Sequence, residues 1–367
     1  MTGRIASLDL LRGIAAFSVA IPHFFMASSA SAPAAETISI LGVEIFFVLS
    51  GYVLAPQILM VAASSFRLRN LGVFLVRRWM RTVPPYLIAL LLVSITARQT
   101  FSADFVRYAF YVQNLVGQAN DHDYFAIAWS LSVEEWFYVT FPVLLLVASA
   151  FVPGRRRTAL LAALIYIGVV TIVRFAFGDW ADWGPEVRRV VAFRVDAIAW
   201  GFVLYLAVSD GRLLRAVTPV RAGMTLLAVG SAAFALTLRL AGQPSLALEA
   251  LFHLYASAFG AAAIVTALAL APRLASRPFV VSASLFLGRI SYSVYLFHLL
   301  VLAALDRLGA TESSAGLILY VALTIIVTAL MAIGVETPIL EARPSYSAGQ
   351  RPSLDARERD ARAVVEG

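Results

Sequence analysis

The chain has 367 residues, of which 60% are hydrophobic and 14% are charged, and its formal net charge is +7. Soluble globular proteins carry about 25% charged residues, so this composition excludes an ordinary soluble domain and predicts a polytopic membrane protein. Cysteine and lysine are both absent. Their absence excludes disulfides, a thiolate metal site, a cysteine acyl-enzyme and a Schiff-base lysine.

Ten apolar segments are long enough to cross a bilayer as helices, which takes about 20 residues. In chain order the predicted spans are 7–27, 39–62, 83–99, 125–151, 158–177, 190–208, 218–240, 246–271, 281–305 and 313–337. The 101–116 stretch is too polar to span, and we expect it to lie at an interface or to re-enter the bundle. The sequence therefore predicts an all-α membrane domain over 1–340, followed by a polar, disordered tail over 341–367.

The distribution of arginine predicts the orientation of this bundle. With the N-terminus inside the cell, nineteen arginines lie on the cytoplasmic side, six lie in outer loops and four lie within spans. This bias follows the positive-inside rule and predicts that both termini are cytoplasmic. The positive net charge is thus assigned to cytoplasmic loops rather than to nucleic acid. We expect a multi-pass protein of a bacterial-type inner membrane.

The first predicted span carries a polar face. Arg12 and His23 are eleven residues apart, almost three helical turns, so they point the same way with a rise of about 16 Å between them. Asp9 lies one turn before Arg12 on the same face. These charges interrupt the apolar run, which favours a retained helix over a cleaved signal peptide. Ionisable groups at membrane depth are costly, so we interpret this face as functional.

The predicted topology sorts the other polar residues into two levels. The outer level receives His23, Glu44, Glu134, Glu135, Arg194, Asp196 and His298. The inner level holds Arg12 beside Arg77, Arg78 and Arg81. Guanidinium groups bind phosphate and stay charged, whereas imidazole beside carboxylates suits proton transfer. Acyl-coenzyme A, with its nucleotide head and flexible pantetheine arm, has the shape to reach both levels.

Each of these groups also has a purely structural interpretation. The basic run 67–81 fits an ordinary cytoplasmic loop. Arg194 and Asp196 could pair with each other, or with the glutamates, only to make their burial tolerable. His253 has no polar companions nearby in the sequence and is interpreted as a hydrogen-bonded packing residue. His122, in an acidic outer loop, is interpreted as solvated, and no metal site is expected.

Six motifs, in order, resemble those of the acyltransferase-3 integral-membrane acyltransferases. They are LDLLRG, with the arginine–ten residues–histidine spacing of Arg12 and His23; GVEIFFVLSGYV; RRWMRTVPPY, with Arg78 and Arg81 as its Arg-x-x-Arg element; WSLSVEEWFY; FRVDAIAWG; and GRISYSVYLFH. The resemblance extends from Leu8 to residues 336–338. Two departures are visible: the second-helix acid, often aspartate in the family, is Glu44 here, and no periplasmic hydrolase-like domain is expected after residue 338.

The resemblance implies transfer of an acyl group, often acetyl, from cytoplasmic acyl-CoA to a hydroxyl. The implied acceptor is a glycan, a glycolipid or a small hydroxylated molecule that is extracytoplasmic or membrane-linked. It also implies that His23 is the central catalytic residue and that the arginines bind CoA. Acyl-CoA is thus expected as a co-substrate, with no permanently bound cofactor.

The hypothesis that these residues support is direct transfer without an acyl-enzyme. His23 acts as general base, and Glu44, Glu134 or Glu135 orients its imidazole, with the choice left open. Arg194, Ser50 or Tyr292 stabilises the oxyanion, and Asp9, Asp196 and His298 support the polar site.

Two other classes of protein fit the same charges. A transporter or flippase for an acylated or anionic glycan-related substrate also needs charges within the membrane. No internal repeat supports that alternative. A membrane subunit that only scaffolds polysaccharide synthesis would leave the two-level pattern unexplained.

Overall fold

The computed structural model describes residues 5–28, 33–64, 67–118, 124–152, 154–209, 230, 246–311 and 313–346. Over these ranges the chain is almost entirely helical and contains no strand. The α-helices are α1 Ala6–Ser28, α2 Pro33–Ala63, α3 Arg67–Thr96, α4 Ala103–Ala109, α5 Ala128–Phe151, α6 Arg155–Phe177, α7 Asp196–Val208, α8 Leu246–Ala275, α9 Pro278–Arg307, α10 Ser314–Met331 and α11 Thr337–Glu341. Short 3-10 or π segments lie at Trp180–Asp182, Gly184–Arg188, Val191–Phe193 and Ala332–Glu336.

The predicted all-α membrane bundle is confirmed. Within the described ranges, nine segments are long and apolar enough to cross a membrane. The 101–116 stretch forms only the short helix α4 and irregular backbone, and it contributes no such segment. The predicted span at 218–240 lies outside the described residues.

Helix α3 differs most from its prediction. The prediction began the third span at residue 83, after the basic run, but α3 begins at Arg67 and runs for 30 residues. Arg81 is therefore the fifteenth residue of this helix, about 21 Å from its first residue. The assignment of the run to a loop was wrong, because an average of hydropathy does not distinguish lipid-facing positions from those that face the interior of a bundle.

The centre of the bundle is built on α1 and α2. Helix α1 packs against α9 and α2, and α2 also packs against α7 and α8. The backbones of α2 and α7 meet directly: a Cβ added at Gly51 would lie 1.8 Å from the Ile198 carbonyl oxygen, and one added at Gly201 would lie 1.8 Å from the Val48 carbonyl oxygen. Small residues permit such close crossings where lipid supplies no hydrophobic force between helices.

The chain continues past α11 and lies against α3. Arg77 Nη1 donates a hydrogen bond to the Pro344 carbonyl oxygen at 2.7 Å. The Arg77 guanidinium also lies over the Tyr346 ring, 5.3 Å from its centroid. Residues 342–346, predicted as the start of a disordered tail, are thus held by helix α3; the remainder of the predicted tail, 347–367, lies outside the described residues.

Candidate active site

A cavity of about 70 Å³ lies between α1, α2, α3, α5 and α9. Its charged lining residues are Arg12, Arg78, Arg81 and Glu134. Its hydroxyl-bearing lining residues are Ser50, Thr82, Ser130, Tyr138, Ser291, Tyr292 and Tyr295. The structure therefore brings three of the four predicted phosphate-binding arginines together with one predicted catalytic carboxylate and with two members of the predicted supporting site, Ser50 and Tyr292.

Glu134 belongs to this arginine-lined cavity. Ser50 Oγ donates a hydrogen bond to Glu134 Oε1 at 2.5 Å, which links α2 to α5. Glu134 was predicted at the level of His23, apart from the arginines, and that separation is wrong. The prediction failed because α3 is longer than expected. Arg81 therefore lies at the middle of this helix, and Arg81 and Glu134 line the same cavity. The neighbouring Glu135 is buried and lies near Thr82 and Arg78.

Hydrogen bonds between helices hold the lining in place. Arg78 Nη2 donates to Gln57 Oε1 at 3.1 Å. The Tyr292 hydroxyl donates to the Thr82 carbonyl oxygen at 2.8 Å, which ties α9 to α3. The hydroxyls of Ser130 and Tyr295 are 2.5 Å apart. The cavity walls thus have fixed polar groups rather than free rotors.

Two histidines lie next to this cavity. The rings of His23 on α1 and His298 on α9 have centroids 5.0 Å apart. The ring of Tyr295, which lines the cavity, is 6.2 Å from that of His298. His298 is fully buried, whereas His23 is partly exposed. The pair therefore connects the cavity to a more accessible position on α1.

The hydrogen bonds of both histidines define their tautomers. His23 Nδ1 lies 2.7 Å from the Val19 carbonyl oxygen. His298 Nδ1 lies 3.0 Å from the carbonyl oxygen of Val294 and 2.8 Å from that of Tyr295. Because a carbonyl oxygen only accepts, Nδ1 carries the proton in each neutral ring and Nε2 carries the lone pair. Nε2 of His23 is therefore the atom able to accept a proton.

No carboxylate among the described residues is hydrogen-bonded to His23. The prediction that Glu44, Glu134 or Glu135 orients this ring is wrong, because the Val19 carbonyl of the same helix already accepts the Nδ1 proton. An i−4 carbonyl is a partner that sequence spacing alone does not single out.

Glu44 instead belongs to a separate, buried charge network. Arg194 forms an ion pair with Glu44, and both side chains are fully buried. Arg194 Nη1 also donates to His253 Nδ1 at 2.6 Å. A second ion pair joins Arg174 to Asp196. Buried charges need such partners. Arg194 pairs with a glutamate, as one of the structural alternatives predicted, whereas Asp196 pairs with Arg174, a partner that was not predicted.

Sequence reasoning missed two members of this network. His253 was interpreted as a hydrogen-bonded packing residue, and the structure confirms the hydrogen bond, but its partner, Arg194, was not predicted. Arg174 was recognised as lying within a span but was given no role. The only available signal was the cost of burying an arginine in an apolar helix, which indicates a partner without identifying it.

The remaining predicted residues lie close to the cavity or at its edge. Asp9 is buried against Gly288, where an added Cβ would lie 2.5 Å from Asp9 Oδ1. Arg77 does not line the cavity and contacts Pro344 and Tyr346 instead. Both predicted sets, the arginines and the histidines, thus surround one region, with Arg77 on its outside.

Arg188, which lies between the spans, was not predicted. Its guanidinium lies over the rings of Trp129 and Trp183, 5.4 and 5.8 Å from their centroids. Burial, and then the positive charge of Arg189, lower the pKa of Arg188 to about 9. Cation–π contacts of this kind offset part of the cost of burial.

A bundle of membrane-spanning helices around a cavity of arginines, a carboxylate and hydroxyls, with a histidine pair beside it, defines an integral-membrane protein with a buried polar site. The family model described as "Acyltransferase domain", that of the acyltransferase-3 proteins, matches residues 5–335. The chain belongs to this family, which confirms the resemblance, and its apolar helices are those of a multi-pass membrane protein.

Curated relatives agree with this assignment. Two Staphylococcus aureus proteins, from strains COL and MW2, have names beginning "Putative O-acetyltransferase" and are 25% identical over 375 and 372 residues. These matches cover 93% and 92% of this chain but 59% of each relative. The O-acetyltransferase OatA of S. aureus NCTC 8325 is 29% identical over 197 residues, 48% of this chain and 30% of its own. The comparison with solved structures found no match.

Proposed function

We propose that this protein is an acyl-CoA-dependent O-acyltransferase of a bacterial-type inner membrane. It transfers an acyl group, most simply acetyl, to a hydroxyl of an extracytoplasmic or lipid-linked glycan or a related acceptor. The observation that carries this proposal is an arginine-lined cavity that adjoins a histidine whose Nε2 is available to accept a proton. The names of the relatives support acetyl as the transferred group.

The cavity fits a phosphorylated donor with a slender arm. Arg12, Arg78 and Arg81 form no ion pair with a carboxylate of the described residues, although Glu134 shares their cavity. Guanidinium groups bind phosphate oxygens in a bidentate manner. A volume of about 70 Å³ is room for roughly five waters. This volume is too small for a nucleotide, so we assign only the acyl-bearing end of the donor to the cavity and the nucleotide to its arginine side.

His23 carries the chemistry in this proposal. The acceptor hydroxyl attacks the thioester carbonyl carbon while Nε2 of His23 takes the hydroxyl proton. The C–O bond of the new ester forms, the C–S bond breaks, and the proton passes from the imidazolium to the CoA thiolate. The atoms balance without a covalent acyl-enzyme, and the ring of His298 packs beside that of His23, with centroids 5.0 Å apart.

The oxyanion requires positive charge or donors near His23. The three candidates from sequence are engaged elsewhere: Arg194 pairs with Glu44, Ser50 donates to Glu134, and Tyr292 donates to Thr82. Arg189 is the arginine whose charge acts on His23. Arg189 is therefore the remaining candidate for this role.

The decisive variant is His23→Ala, assayed in the purified protein with radiolabelled acetyl-CoA and cell-envelope acceptor. We expect transfer to fall by at least 10²-fold, the usual contribution of a positioned base, while CoA binding is retained because the arginines are untouched. His122→Ala, in the loop interpreted as solvated, is the matched control. Near-native transfer by His23→Ala would refute this role. Movement of an acceptor across vesicles without acyl transfer by the native protein would favour a transporter.

A further inference from the structure

Residues 342–346, here called the C-terminal strap, place a fifth arginine next to the predicted phosphate-binding group. The strap follows α11 and is held against α3 by the hydrogen bond from Arg77 to Pro344 and by the Arg77–Tyr346 cation–π contact. Arg343 directly precedes the first of these attachment points, Pro344, and is partly buried. No motif in the sequence singled it out.

The arginines at this surface have buried donors that are not used. Nε of Arg77, Nε of Arg78, and both Nε and Nη2 of Arg343 are buried without a hydrogen-bond partner in the described part of the chain. Buried polar groups are nearly always hydrogen-bonded in native proteins. An unpaired Nε is common among the buried arginines of the described residues, but Arg343 leaves both Nε and Nη2 unpaired, which indicates a ligand that accepts more than one hydrogen bond.

The charges around Arg343 specify the sign of that ligand. The charged groups that act on it are Arg78, Arg81 and Arg77, with Tyr346 as the remaining neighbour, and no carboxylate is among them. Burial and these three positive charges lower the pKa of Arg343 to about 10. An anion with several oxygens satisfies both the donors and the charge.

We propose that Arg343 and the C-terminal strap, together with Arg77, form a phosphate-binding subsite outside the cavity. This inference rests on the proposed function, since the ligand we assign to the subsite is a phosphate of the nucleotide end of the acyl donor. The reactive arm of the same donor enters the cavity lined by Arg78 and Arg81. The strap thus extends the donor site beyond the membrane-spanning helices.

Phosphate could reach this subsite from two sources, the acyl donor or an anionic lipid headgroup. The donor is the favoured source, because the cavity and the subsite are adjacent. Arg78 lines the cavity, and the positive charge of the same side chain acts on Arg343. A donor that occupies the cavity therefore leaves its charged end beside the strap.

The experiment compares CoA with pantetheine, which has the arm but no phosphate. Affinities are measured by isothermal calorimetry on the full chain in lipid-free detergent. For Arg343→Gln we expect a roughly tenfold to hundredfold weaker CoA affinity, the effect of losing hydrogen bonds to a charged group, and no change for pantetheine. The control is Arg277→Gln, an exposed arginine directly before α9, for which both affinities should be native.

Arg343→Lys keeps the positive charge and is expected to bind CoA within severalfold of the native protein. This variant also keeps the inference testable if Arg343→Gln does not fold. Native CoA affinity in Arg343→Gln, or equal weakening for CoA and pantetheine, would overturn the subsite. The subsite would also be overturned if Arg343→Gln kept its CoA affinity but was no longer stabilised by phosphatidylglycerol, because the bound phosphate would then be that of a lipid headgroup. A native protein that binds no CoA would instead refute the proposed function.

Discussion

Replacement of Glu44 tests whether this residue supports the fold or takes part in the reaction. Glu44 and Arg194 are both fully buried and form an ion pair. In Glu44→Gln the guanidinium keeps its charge and loses the carboxylate. Removing one partner of a buried pair costs about 3–5 kcal/mol, because the other charge is left uncompensated. We expect a loss of this size in the free energy of unfolding.

The double variant Glu44→Gln/Arg194→Gln removes both charges. It should recover most of the stability, because no uncompensated charge remains. Recovery is expected to be incomplete by about 1–3 kcal/mol, since Arg194 also donates to His253 and the substitution disturbs that hydrogen bond. The sum of the two single-variant losses in the free energy of unfolding should therefore exceed the loss in the double variant by several kcal/mol, which indicates direct coupling.

The assay is unfolding of the purified protein in mixed micelles titrated with SDS, followed by tryptophan fluorescence. Acyl transfer is measured on the same samples. If the losses of the two single variants simply add in the double variant, the ion pair contributes nothing and the reasoning is refuted. If the double variant is stable but inactive, Glu44 has a role in the reaction beyond its pairing with Arg194.

Two further outcomes follow from the packing and from the cavity. Gly201→Ala should destabilise the bundle, because its new Cβ would lie 1.8 Å from the Val48 carbonyl oxygen. The control, Gly168→Ala, has nothing within 4 Å of its new Cβ and should be neutral or stabilising by up to about 1 kcal/mol. Equal effects of the two variants in thermal unfolding would contradict the backbone contact. Arg81→Gln should weaken CoA binding by roughly tenfold or more in the calorimetric comparison described for Arg343, with Arg277→Gln as control, and an unchanged affinity would remove Arg81 from the donor site.

Much of the site could be predicted from the period of the first helix. Eleven residues at 3.6 per turn place Arg12 and His23 on one face, and the structure puts Arg12 in the cavity and His23 beside His298. The cost of burying ions correctly marked Glu44 and Arg194 as paired or functional. These inferences succeed because they need only local geometry and solvation.

The partners of these residues could not be predicted in the same way. Helical period assigns a face but does not say which helix lies opposite, so the contact between Arg194 and His253, 59 residues apart, has no local signal. The third span was predicted to begin at residue 83 rather than at Arg67, because hydropathy averages over all faces of α3, including the one that lines the cavity. The partner of His23 is the backbone carbonyl of Val19, and side-chain types in the sequence do not indicate a backbone partner.

The direct contact between α2 and α7 has a consequence for how an acceptor enters. Separating α2 from α7 would first break the backbone packing at Gly51 and Gly201. The two helices are therefore expected to move as one unit. Helix α3 packs less extensively against its neighbours α2, α5 and α9 than α1 and α2 pack against each other. It also lines the arginine-containing cavity. Lateral entry from the lipid is therefore expected between α3 and its neighbours, so a lipid-linked acceptor could approach the cavity without leaving the bilayer.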